Sequence, residues 1–230
     1  MRAPNSDEAR NPQAKTLRPR LAASLILTRP ANAELEVLMG RRSAKHVFMP
    51  NKYVFPGGRV DRADSTGPFS SDLDAGAMAV MCRSLPERRA RAAAIAAVRE
   101  TVEETGLLIA STGPCKSRHA NWKPFRDENL APDLSQLKLI TRAVTPPGRS
   151  RRFDTWFFTA DSAALFDDRA PTPSPELEDV HWVPLSQAHK LDLPMVTHFV
   201  LGELERVSEP APKPPRWIHG DHGNMVVKDL

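Results

Sequence analysis

Cysteine, glycine and long apolar runs are all scarce in this chain of 230 residues. There are two cysteines, Cys82 and Cys115. Two are too few for a disulfide framework and make no metal-binding pattern, so a reducing compartment, the cytoplasm, is the simpler reading. No apolar run reaches the ~18 residues of a membrane-spanning helix, so no membrane span is expected. Met1 to Arg20 carries Asp7 and Glu8 but lacks the apolar centre of a secretory signal. Residues 1–20 therefore read as a disordered leader. Glycine (11) is half as frequent as proline (22), and the prolines crowd the two ends and a few loops. Pro210, Pro212, Pro214 and Pro215 make residues 208–230 read as a flexible tail. No internal repeat is visible. A strong charge excess is missing too: a net charge of +4 and a pI near 9.3 fall short of a nucleic-acid binder and suit a small anionic ligand equally well.

What remains is a globular composition, 40% apolar and 26% charged, with one core expected over residues 21–207. Leu21 to Thr28 is a short apolar run bounded by Arg20 and Pro30, the pattern of a buried strand. Glu34 to Met39 and Lys52 to Phe55 are further strands, the latter broken by Pro56-Gly57-Gly58. Ser65 to about Arg89 has no clean period and reads as an insertion, with Asp72 to Arg83 assigned as helix. Arg91 to Thr105 is alanine-rich, with Ile95, Val98 and Val102 at helical spacing and Gly106 placed as a terminating glycine. Strands at Leu137 to Val144, Phe153 to Thr159 and Val180 to Val183 follow, then a closing helix from Met195 to Val207. This order argues a mixed α/β sandwich around one core.

The chemistry sits in Arg99-Glu-Thr-Val-Glu-Glu-Thr-Gly-Leu107. On a helix Glu100, Glu103 and Glu104 fall at i, i+3 and i+4 and project from one face. Three like charges there repel, and a divalent cation reverses that penalty; hard carboxylate oxygens suit Mg²⁺ or Mn²⁺. Glutamates on an exposed helix are also common as a plain solvated face, so the three alone leave both readings open.

The flanking residues narrow the choice. Arg99 to Leu107 resembles the second half of the Nudix box, G-x5-E-x7-R-E-U-x-E-E-x-G-U with U a bulky aliphatic residue. It matches every fixed position: Arg99, Glu100, Val102, Glu103, Glu104, Gly106 and Leu107. Phe55-Pro-Gly-Gly58 resembles the loop that opens the box. The chain departs from the pattern twice. Asp64 stands at the place of the first glutamate; this shorter acid can still hold the loop, or Asp61 takes the role. Between Asp64 and Arg99, 34 residues (65–98) intervene where the pattern has seven, an insertion of 27 assigned to about residues 65–90. The long insertion, with Phe48 to Gly58 and Arg152 to Phe158, resembles the peroxisomal coenzyme A diphosphatase branch and its bacterial relatives; the likeness runs from Leu21 to Val207.

That resemblance implies an α/β/α sandwich with a mixed sheet and a metal-dependent hydrolase that cuts a diphosphate bond in a nucleoside-diphosphate-linked small molecule. Coenzyme A or an acyl-coenzyme A is the first choice. ADP-ribose, a nucleotide-sugar or a dinucleotide is the alternative, and a non-catalytic ligand-binding regulator is the reading from another class. Glu100, Glu103 and Glu104 would bind Mg²⁺ or Mn²⁺. One of them, or a later acid among Glu176, Glu178 and Asp179, would handle the attacking water, although those three also fit an ordinary charged loop. Arg99 would fix the carboxylates, and Gly57 and Gly58 would let backbone approach closely. Arg41, Arg42 and Arg152 are candidate phosphate contacts. The basic run Arg149, Arg151 and Arg152 suits a 3′-phosphate or another distal anion and equally a solvated strand-edge cluster, and Trp122 and Phe125 are candidates to stack on a base. Many relatives dimerise, so a homodimer is an expectation, although no exposed apolar stripe is readable.

Overall fold

The computed structural model describes residues 17–32, 34–45, 49–209, 211, 213–221 and 224–230. Most of the expected leader, and Phe48, lie outside the described residues.

A hairpin of β1 (Arg20–Ala31) and β2 (Glu34–Arg42) opens the fold. Two short strands, β3 (Tyr53–Val54) and β4 (Gly57–Arg59), flank Pro56. Helices α1 (Ala75–Cys82) and α2 (Glu87–Thr105) follow. A small separate sheet pairs β5 (Ala110–Thr112) with β6 (Leu130–Pro132), enclosing the short α3 (Lys123–Asp127). The chain continues through β7 (Lys138–Val144), β8 (Phe153–Asp161), β9 (Leu177–Pro184), α4 (Leu185–Ala188), α5 (Met195–Ser208), β10 (Arg216–Asp221) and β11 (Asn224–Asp229).

The main sheet runs β11-β10-β7-β8-β1-β2-β3, with β4 also on β1 and β9 on β2. It is mixed: β1 with β8 and β10 with β7 are parallel, and the other pairs are antiparallel. A strand covered on both faces must be apolar at every position, not at alternate ones. That is why Leu21 to Thr28 is a continuous run. Leu25 and Leu27 face a core shared with Ala94, Val98, Trp156 and Phe158 on the α2 side. Ile26 faces the other core with Phe157, Val200, Leu201 and Leu204 on the α5 side. The result is the expected α/β/α sandwich.

The insertion is built into the α2 side. Leu73, Met81 and Leu85 are buried in that core, so α1 packs down. Arg91 ties the insertion to α2 through Asp72 at 2.7 Å, and pairs with Glu87 one turn earlier on α2 at 2.6 Å. Part of the inserted sequence extends α2, which begins at Glu87, before the expected Arg91.

The tail reading needs correction. Residues 216–229 form β10 and β11 and carry the main sheet past residue 207. Arg216 pairs with Glu203, a side chain only 1% exposed on α5, and Thr141 donates to the Arg216 carbonyl at 2.6 Å. A buried carboxylate needs such a partner. Ile218 adds to the α5-side core, and Arg83 of the insertion reaches the Leu230 carbonyl at 2.9 Å.

Candidate active site

The turn between β3 and β4 lies against the last turns of α2. Ser24 on β1 fastens it by donating to the Pro56 carbonyl at 2.7 Å, alongside Leu25 N–H at 3.0 Å. The Gly57 N–H then donates to the Glu104 carboxylate at 2.9 Å. At Gly58 a Cβ would lie 2.4 Å from the Glu100 Oε1, so a side chain there displaces that carboxylate. The carboxylate of Glu100 therefore rests directly over glycine backbone. Gly106 ends the helix at φ +73°, the left-handed conformation that favours glycine, with its N–H bonded to Val102 O at 2.9 Å.

Arg99 organises the face. It is 3% exposed, yet all five of its N–H donors are used. Nε reaches Asp64 Oδ1 at 2.8 Å and Nη2 reaches Asp64 Oδ2 at 3.0 Å and the Arg59 carbonyl at 2.9 Å. Nη1 bridges Glu100 and Glu103, each at 2.9 Å. Only a planar fork makes this set of bonds, so lysine cannot replace it. Asp64, rather than Asp61, is the acid that meets the arginine. It is fully buried and also accepts the Asp61 N–H at 2.7 Å, which closes the turn at Arg62–Thr66.

Burial pushes the Glu104 carboxyl up to about 8, against the Gly57 hydrogen bond and helped by the neighbouring Glu100 charge. Burial likewise pushes Glu100 up to about 7, although Arg99 pulls the other way. Half-buried Glu103 is raised by the same balance. Burial works against the Arg99 charge, but Asp64 and Glu100 outweigh it and hold the guanidinium firmly protonated. Anions that are costly to bury, with hard oxygen donors, fit a divalent cation. Their contacts are internal, however: among the described residues no group of three or more His, Cys, Asp or Glu side chains converges as a ready metal cage.

The other sequence candidates divide. Arg42 is brought to the cluster: burial lowers its pKa, against the fields of Glu104, Glu176 and Glu100. Arg41 is engaged with Glu178 at 3.4 Å. Arg152 is not joined to the carboxylates; it lies beside Arg20 and donates to Thr145 O at 3.0 Å and Leu17 O at 2.6 Å. Of the three later acids, Glu176 is the one whose charge reaches Glu104, and Ser43 N–H holds its backbone at 3.1 Å. Asp179 instead accepts from Tyr53, a contact the sequence did not signal. Trp122 and Phe125 are not stacking platforms: they are 1% and 0% exposed, with rings 5.7 Å apart in the core.

The contact at Gly58 gives a direct test. A Gly58→Ala methyl displaces the end of a flexible side chain, so the melting temperature should hardly change. The Glu100 carboxylate must move, and misplacement on this scale costs about 10²-fold in rate. Full diphosphatase activity in Gly58→Ala would show that Glu100 need not lie over the glycine.

A helix that presents R-E-x-x-E-E against a diglycine turn, on an α/β/α sandwich, defines a Nudix fold. The NUDIX domain family model matches residues 85–199, half of the chain, and the chain belongs to the Nudix hydrolase family. That match starts beyond Gly58 and Asp64, which the insertion separates from the helix. Among curated relatives, an acyl-coenzyme A diphosphatase NUDT19 of Xenopus laevis is 26% identical over 245 aligned positions, covering 76% of this chain and 63% of that protein. Putative nudix hydrolase 7 of Caenorhabditis elegans is 28% identical over 178, covering 71% of this chain and 51% of that protein. The chain thus spans between about half and two-thirds of the length of these relatives. A crystal structure of a NUDIX hydrolase from Alicyclobacillus acidocaldarius superposes with a TM-score of 0.62 at 28% identity, covering 81% of this chain and 91% of that one.

Proposed function

We propose that this protein hydrolyses the diphosphate bond of a nucleoside-diphosphate-linked substrate, with coenzyme A or an acyl-coenzyme A as the first candidate. The observation that carries the reaction class is the Glu100–Glu103–Glu104 face, pinned by Arg99 and laid over Gly57 and Gly58. The long insertion and the diphosphatase likeness support the coenzyme A choice. Glu100, Glu103 and Glu104 would hold Mg²⁺ or Mn²⁺, which when bound neutralises phosphate charge and makes water easier to deprotonate. Arg99 keeps two of the carboxylates in register, and Arg42, which lies in the fields of Glu104, Glu176 and Glu100, would meet a phosphate oxygen. Glu104 or Glu176 would take the proton of the attacking water. The two free cysteines suit a reducing compartment such as the cytoplasm. No helix among the described residues is long and apolar enough to cross a membrane.

The test is formation of the two phosphate-bearing fragments, resolved by chromatography, from coenzyme A, ADP-ribose, NADH, dinucleoside polyphosphates and UDP-glucose, with Mg²⁺, Mn²⁺ or EDTA. Metal-dependent cleavage of coenzyme A is expected. Cleavage of another compound alone keeps the reaction and removes the coenzyme A assignment. No cleavage and no metal binding favours a ligand-binding regulator.

Metal binding should also reverse a pH trend. Glu100 and Glu104 have folded pKa values near 7 and 8, above the ordinary 4.5. Their stabilising contribution is therefore fully present below about pH 4.5 and is lost as pH rises through 7 to 8, on the order of a few kcal/mol. In EDTA the melting temperature should fall between about pH 5 and about pH 8.5 from these groups, and the gain from added Mn²⁺ should grow over the same range. A Mn²⁺ gain that is absent, or equal at all pH values, counts against carboxylate ligation here.

A further inference from the structure

A cleft of about 360 Å³ opens between the start of β1, the turn after β4 and the first turns of α2. Four arginines line it, Arg20, Arg59, Arg62 and Arg89, against a single carboxylate, Asp61. Elsewhere Arg29, Arg91, Arg99, Arg142, Arg169 and Arg216 each hold an acid, while Arg83, Arg126 and Arg152 meet backbone carbonyls. Among the described residues none of the four cleft arginines has a side-chain ion pair. Grouping unneutralised guanidinium groups around one cleft is unfavourable unless an anion enters.

The cleft also continues the reacting face. Arg59 directly follows Gly58, whose backbone lies under Glu100, and its carbonyl is held by Arg99 at 2.9 Å. Arg89 and Ala92, on the cleft wall, share a helical stripe with Arg99, Glu100 and Glu103. Arg89 precedes Glu100 by 11 positions, about 16 Å along the helix, whereas Arg59 is one residue from the glycine under Glu100. Ala92, Ala96 and Arg99 on that stripe are buried, so a ligand whose diphosphate meets the glutamates reaches the cleft past the exposed Arg59 side chain. Guanidinium forks bind phosphate oxygens in pairs, and a phosphate monoester carries close to two charges at neutral pH.

We propose that this cleft binds a second phosphate group of the substrate, a monoester borne on a different carbon from the diphosphate that is cleaved. The placement of the ligand rests on the diphosphate-hydrolase reading above, whereas the anion site itself does not.

The experiment measures, by calorimetry on the full chain, the affinities of adenosine 3′,5′-bisphosphate and of adenosine 5′-monophosphate. The bisphosphate should bind at least about tenfold more tightly, equivalent to about 1.4 kcal/mol. That ratio should fall toward one in Arg20→Ala/Arg89→Ala and in Arg62→Ala. These arginines are exposed, so unchanged melting temperatures should show that the variants fold. Lys190→Ala, which removes a charge near α4 on the other side of the sheet, should keep the ratio. The same comparison is made in kcat/KM with coenzyme A and its 3′-dephospho form. Equal affinities in the unaltered protein, no binding of the bisphosphate, or a ratio that survives the arginine changes overturns the proposal. An arginine-dependent ratio without cleavage of either coenzyme A form keeps the cleft and removes coenzyme A hydrolysis.

Discussion

Glu104→Gln is expected to lower kcat/KM on the preferred diphosphate by roughly 10²–10⁴-fold, about 3–5 kcal/mol of barrier, while leaving the fold intact. The amide keeps the size of the side chain and an oxygen for the Gly57 N–H, now 2.9 Å from the carboxylate. What it loses is charge. Because burial already pushes this carboxyl up to about 8, removing the charge should raise the melting temperature of the metal-free protein at neutral and alkaline pH. Activity and metal-free stability then move in opposite directions, which a purely structural glutamate would not produce. Glu103→Gln should cost a similar factor in rate with a smaller stability change, since this side chain is 38% exposed and gives up one bond to Arg99. Both variants are to be assayed with saturating Mn²⁺ and melted in EDTA. Normal activity in both removes the carboxylate face as the reacting centre.

The sequence made the central strands and the carboxylate helix readable because each depends on local pattern. Leu21 to Thr28 is apolar at successive positions because both its faces are covered, and Arg91 to Thr105 reads as helix from its alanines and the spacing of Ile95, Val98 and Val102, although residues 92–99 are buried without a break. The C-terminal hairpin was not readable. Its proline tract ends at Pro215, and β10 gains its place from β7, a partner more than seventy residues earlier, with the Arg216–Glu203 pair closing the contact. Trp122 and Phe125 looked available for stacking because a loop position in sequence says nothing of burial. The site divided in the same way. That Glu100, Glu103 and Glu104 share a face follows from helix spacing, and their reading as a site comes from the flanking match to the Nudix box. Glu176 follows from neither, since its neighbourhood with Glu104 arises where the loop before β9 is held to Ser43. The choice between Asp61 and Asp64 could not be made from spacing, because 34 residues separate Asp64 from Arg99 and the contact between them is wholly tertiary.

Asp64→Ala is accordingly expected to destabilise the protein by about 3–5 kcal/mol, because it leaves the buried Arg99 guanidinium without its main counter-charge. For a chain of this size that lowers the melting temperature by about 6–20 °C. The side chain is fully buried and supplies two of the hydrogen bonds to Arg99, at 2.8 and 3.0 Å, as well as the acceptor for Asp61 N–H. Without it Arg99 loses its anchor, and the arm that bridges Glu100 and Glu103 loses its register. Activity should therefore fall further than the loss of folded protein explains, measured below the new melting temperature. Asp64→Glu restores the charge but adds a methylene in a filled site, so it should recover activity at a residual cost of about 1–3 kcal/mol. Asp61→Asn is the matched control: it removes an exposed charge and should change stability by no more than about 0.5 kcal/mol. Equal effects of Asp61→Asn and Asp64→Ala, or an Asp64→Ala protein with unaltered melting and activity, would mean that Arg99 is held without this pair. Loss confined to Asp64, with rescue by glutamate, identifies it as the positioning residue that links the turn before the insertion to the reacting face.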